Sequence, residues 1–76
     1  MNELKPLEIA HVFCRCVLSE NTGNRKEFAE YLGISPCRVT AYKNKIEHIY
    51  KIRIYFSRRR NTYYVDDEER HKLTFV

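Results

Sequence analysis

The residues best equipped for chemistry crowd into one block. From Pro36 to Arg60 the chain carries Arg38, Lys43, Lys45, Lys51, Arg53, Arg58, Arg59 and Arg60 against the single acid Glu47, a local charge of +7. Residues 1–35 carry −1 and residues 61–76 carry −2, so nearly all of the formal net charge of +4 originates in one 25-residue stretch. Cations at this density suit the grip of a polyanion. They do not suit bond-making, because the sequence offers no nucleophile and base with a third group to orient them, so no enzyme activity is expected. His11 and Cys14 lie three apart and can face the same way on a helix, but Cys16 projects elsewhere. No C-x-x-C pair completes the four ligands of a structural zinc, so no metal and no cofactor is expected. Three cysteines, Cys14, Cys16 and Cys37, are an odd number without paired spacing and read as reduced, buried thiols of a cytoplasmic protein.

Helical periodicity surrounds the first part of this block. In "PLEIAHVFCRCVL" the residues Leu7, Ala10, Phe13, Cys14, Val17 and Leu18 recur at the spacing of one helical face, with Pro6 in the first turn and Asn21 and Gly23 at the end. Asn24 and Glu27 have capping-box spacing for a second helix whose apolar set is Phe28, Ala29, Tyr31 and Leu32 and whose stop is Gly33. Ser35 as N-cap and Pro36 at the first helical position open a third, with Val39, Tyr42, Ile46 and Ile49 as its core stripe. After Tyr50 the period drops to two: Ile52, Ile54 and Phe56 alternate with Arg53 and Tyr55 as in a half-buried strand. "RRRN" is a polar turn in which Asn61 can turn left-handed, and "TYYV" is a return strand. Helices are therefore expected over about 6–20, 25–32 and 36–49, and a hairpin over about 51–57 and 62–66. The fold class is α+β, mostly α: a three-helix bundle with a C-terminal two-stranded hairpin, one domain over 1–66. The tail, 67–76, is either frayed or docked through Leu73, Phe75 and Val76. With 76 residues the chain is one small domain, which buries only about 60% of what its unfolded form exposes.

This order, with "RKEFAEYLGIS" followed by "IYFSRRRNTYYV", resembles the winged helix-turn-helix domain at the N-terminus of DeoR-like and WYL-domain bacterial transcription regulators. The resemblance covers roughly residues 7–65. It implies sequence-specific binding of double-stranded DNA, with the third helix in the major groove and the hairpin as the wing. Carried over residue by residue, the groove-facing positions are Ser35, Pro36, Cys37, Thr40, Lys43 and Asn44, with Thr40 and Asn44 at base edges. Arg38, Lys43 and Lys45 are then phosphate contacts, and the wing residues Arg58, Arg59 and Arg60 lie along the backbone or enter a minor groove, with Arg53 extending the surface. The chain departs from the family in "TAYKNKI", where such regulators often carry an Arg-Asp pair, and in having no sensor domain, so no small-molecule ligand is expected.

Other readings fit the same residues. The charged helix face can be merely solvated, and the arginine turn can guard an edge strand. The six tyrosines can stack on unpaired bases or, at core-compatible positions, simply pack, with Tyr55 and one of Tyr63 or Tyr64 facing outward. The whole domain can also serve as a protein-interaction module, or as an architectural DNA-binding factor of a mobile element. A module this small needs a second copy or a partner regulator to reach useful specificity. Neither a signal peptide nor an apolar run of about 20 residues is visible, so no membrane partner is expected.

Overall fold

The computed structural model describes residues 5–73, so the expectation for Phe75 and Val76 lies outside the described residues. Three α-helices, α1 (Pro6–Ser19), α2 (Arg25–Leu32) and α3 (Pro36–Tyr50), precede an antiparallel hairpin and a closing 3-10 helix, Asp67–Leu73. The hairpin strands are β1 (Tyr55–Ser57) and β2 (Thr62–Tyr64), paired Tyr55 with Tyr64, Phe56 with Tyr63 and Ser57 with Thr62. The fold is thus α+β and mostly helical.

Local chemistry explains the helix boundaries. Asn24 Oδ1 accepts the Glu27 N–H at 2.8 Å and the Glu27 carboxylate accepts the Asn24 N–H at 2.9 Å, a reciprocal cap that starts α2. Gly33 ends α2 at φ 74°, where a Cβ would be strained. Ser35 Oγ accepts the Arg38 N–H at 3.3 Å and so starts α3. Two helix ends shift by one residue from the sequence expectation: α3 runs on to Tyr50, and α1 stops at Ser19, where Glu20 takes a left-handed turn at φ 56° ahead of Gly23. Gly23 is nonetheless favoured, since at φ 75° a side chain is strained and its Cβ would come within 2.9 Å of the Glu27 Cβ.

The core runs through all these elements. Phe13 of α1 lies 4.8 Å from Phe28 of α2, Phe28 lies 5.9 Å from Tyr63, and Tyr63 meets Phe56 edge-on at 5.0 Å. This aromatic chain ties the hairpin to the helices, each pair adding about 0.5–1.5 kcal/mol beyond area burial. Val17, Ala29, Leu32, Val39, Ile46, Ile52, Ile54 and Val65 fill the space around it. Ala29 is small and buried in α2, which packs against α3. Leu73 is fully buried, and Arg70 donates to the Leu18 carbonyl at 2.6 Å, placing a cation at the negative end of α1. Residues 67–73 are therefore docked.

Several apolar expectations fail. Leu7 and Ile49 are 86% and 55% exposed because α1 and α3 leave an open groove between them. Tyr31 is 70% exposed, so the buried face of α2 narrows to Phe28, Ala29 and Leu32. Cys37 is exposed rather than buried, whereas Cys14 is buried and Cys16 half-buried. The strand over 51–57 shortens to 55–57, since earlier backbone donors are claimed by the end of α3. The Ile52 N–H bonds the Glu47 carbonyl at 3.2 Å, and the Ile54 N–H bonds the Glu47 carboxylate at 2.8 Å. Phe56 sits at the rim of the core and is half-exposed, and Tyr55 stacks outside on Tyr64 at 5.6 Å.

Candidate nucleic-acid interface

Helix α3 has three distinct flanks once its buried stripe is fixed. Val39 and Ile46 point into the core, and at about 100° per residue the opposite side carries Cys37, Ala41, Asn44 and His48. All four are exposed. Cys37 and Asn44 belong to the groove-facing set drawn from the sequence. Ala41 and His48 do not, although a helical wheel centred on Val39 and Ile46 is enough to find them.

The flank toward the hairpin holds Thr40 and Lys43. Thr40 Oγ1 accepts a hydrogen bond from Arg25 at 3.2 Å, and Lys43 pairs with Glu47 at 3.4 Å. These two share a shallow cleft with Asn24, Arg25, Phe56 and Tyr63. Arg25 escaped the sequence reading because it lies outside the basic block; it joins the surface only through the packing of α2 on α3. The flank toward α1 holds Arg38 and Lys45. Ser35 and Pro36 are exposed at the start of α3, with the Ser35 hydroxyl engaged in the cap. The structure therefore gathers the expected α3 residues on one helix but distributes them over an outward face and two edges.

The hairpin tip is pinned on both sides. Asn61, left-handed at φ 54°, donates from its amide to Glu27 at 3.0 Å, and the Arg60 N–H bonds Ser57 Oγ at 3.2 Å. The Arg60 guanidinium pairs with Glu20 and lies 5.1 Å over the Tyr64 ring. Arg60 thus belongs to the fold's own contacts, while Arg58 and Arg59 are exposed at the turn and Arg53 at the approach to β1. Below the tip, Thr22 and Thr62 form a buried polar joint. The Thr22 N–H donates to Thr62 Oγ1 at 3.1 Å, and the Tyr63 N–H donates to Thr22 Oγ1 at 2.9 Å. The hairpin that carries Arg58 and Arg59 is held by side chains from α2 and from the loop between α1 and α2.

Only Lys43 and Arg60 of the eight block cations form ion pairs among the described residues. The remaining six, with Arg25, leave a positive surface without internal neutralisation. Titration is perturbed elsewhere: burial pushes the Cys14 thiol up to about 11, and hydrogen bonds from Asn24 and Asn61 lower the Glu27 carboxyl. Among the described residues no cluster of three or more His, Cys, Asp or Glu side chains can hold a metal, and no helix is long and apolar enough to cross a membrane. No family model, no curated protein and no solved structure matches the chain.

Proposed function

We propose that this chain binds double-stranded DNA as a winged helix and acts as a small transcriptional regulator. The observation that carries the reading is an uncovered outward face on α3, bordered by unneutralised cations, next to a hairpin turn that presents Arg58 and Arg59. A helix of these dimensions fills a B-DNA major groove, and Cys37, Ala41, Asn44 and His48 are then the side chains nearest the base edges. Asn44 suits a bidentate bond to adenine, and the Ala41 methyl suits contact with a thymine methyl, so the preferred half-site contains A·T pairs. Arg38, Lys43 and Lys45 along the edges, with Arg25 and Arg53, meet phosphates. Arg58 and Arg59 follow the backbone or enter the adjacent minor groove. Ser35 and the start of α3 meet a phosphate at the positive end of the helix. The resemblance to DeoR-like and WYL-domain regulators points the same way.

Selection from a randomised duplex pool, followed by titration of selected and scrambled duplexes at about 50 and 200 mM salt, tests this reading. Six to ten phosphate contacts cost roughly 10³- to 10⁵-fold in affinity over that range. A recurring A·T-containing motif with a steep salt slope is the expected result. A steep slope without a motif replaces it with architectural binding, and no binding at low salt removes DNA as the partner.

A further inference from the structure

The groove between α1 and α3 shares Arg38, Ala41 and Lys45 with the DNA reading, but its apolar floor has no role there. Its volume is about 770 Å³, and its apolar walls include Leu7 and Ala10 on one side and Tyr42, Ile46 and Ile49 on the other. Leu7 and Ile49 are among the most exposed large apolar side chains described. Exposed apolar surface of this kind, bordered by charge, marks a docking face. We infer that this groove receives an acidic amphipathic helix from a partner protein.

Three features of the groove define the occupant. Its walls are two helical stripes: the α1 wall runs from Leu7 to Cys14, about 10 Å of helix, and the α3 wall from Arg38 to Tyr50, about 18 Å. Two or three turns of a third helix match that length, with apolar residues at i, i+3, i+4 and i+7 laid into the trough. The rim supplies the sign of the charge: Arg38 and Lys45 line the groove, no Asp or Glu does, and neither cation forms an ion pair among the described residues. Their separation of seven residues matches two carboxylates seven residues apart on the incoming helix. The same rim argues against a second copy seated face to face, because Arg38 and Lys45 would confront their own counterparts. The apolar contact is separable from the DNA reading, since Leu7 and Ile49 lie off the outward face of α3, whereas Arg38 and Lys45 serve both.

The probe is a synthetic helix of about 15 residues with a leucine face and two glutamates seven apart. Controls are a scramble that breaks the leucine face and a version with both glutamates replaced by lysine. Fluorescence anisotropy is expected to give a Kd of about 1–100 μM for the probe, with amide shifts concentrated at Leu7–Cys14 and Tyr42–Ile49. Leu7→Glu and Ile49→Glu each raise the Kd at least tenfold, and both variants keep the wild-type circular dichroism spectrum and DNA affinity. Arg38→Glu with Lys45→Glu shifts preference to the lysine version. Equal binding of the scramble, or shifts centred on Arg58 and Arg59, reduces the effect to general polyanion attraction and overturns the inference. So does a concentration-dependent dimer in sedimentation that Ile49→Glu abolishes, since a second copy then fills the groove.

Discussion

Cys14 and Cys37 carry the same thiol into opposite surroundings. Burial raises Cys14 to about 11, so at pH 8 on the order of one thiol in a thousand is the reactive thiolate. Cys16 is also raised by burial, partly offset by the Arg15 charge. Cys37 is exposed on the outward face of α3. Iodoacetamide on the native protein should therefore modify Cys37 first and Cys14 only on unfolding, as read by peptide mass mapping. Bound duplex should protect Cys37, and a bulky adduct there should lower DNA affinity; unchanged affinity would remove α3 from the groove. The arginines of the turn divide in the same way. Arg59→Ala should weaken binding to every sequence and reduce the salt slope by about one. Arg60→Ala should leave the slope intact and cost less than about 1 kcal/mol, because Arg60 is spent on a half-exposed pair with Glu20.

Elements are held together here by a few polar joints between distant parts of the chain. Thr22 and Thr62 bridge the α1–α2 loop to β2, and both are buried. Thr22→Val leaves the Tyr63 N–H without its acceptor, at a cost of about 1–3 kcal/mol in urea unfolding. Thr22→Ser should recover most of the loss, and equal losses for Val and Ser would place the cost in packing. Glu27 joins two elements, capping α2 and accepting from Asn61 at the hairpin tip. These bonds favour the carboxylate, led by the Asn24 N–H, so the folded pKa lies below the unfolded one. The stabilisation is complete above the unfolded value of about 4.5 and is lost as pH falls through the lowered folded value. The stability gap between wild type and Glu27→Gln should therefore narrow below about pH 4. A constant gap across pH would show that the bonds do not favour the charged form.

At the scale of the whole molecule, the Cα radius of gyration of 11.5 Å matches the roughly 11 Å expected of a compact chain this long. On the proposed DNA reading, one such module would span only a short half-site. Useful specificity then needs two copies on a palindrome, with half-sites about 10 base pairs or a multiple apart. Sedimentation on a palindromic duplex should show two chains per duplex. A single chain on the palindrome at saturating protein would exclude the homodimer and leave a second protein as the source of specificity.

The sequence by itself determined what depends on neighbours within four residues. Asn24 with Glu27, Ser35 with Pro36, Gly33 and Asn61 each act through local hydrogen bonds or their own φ, so the three helices, the tight corner and the turn were legible. Tertiary structure alone decided what each exposed side chain does, because those partners lie far away in sequence. Arg60 is claimed by Glu20 across 40 residues, Thr40 by Arg25 across 15, and the 3-10 helix is anchored by Arg70 on Leu18 across 52. The shortened strand has the same origin: Glu47 competes for the Ile52 and Ile54 donors with a backbone acceptor and a side-chain carboxylate. Leu7 and Ile49 show the limit most clearly. Their periodicity is that of core residues, yet periodicity reports only which face of a helix is apolar, and the angle between α1 and α3 decides whether that face is covered.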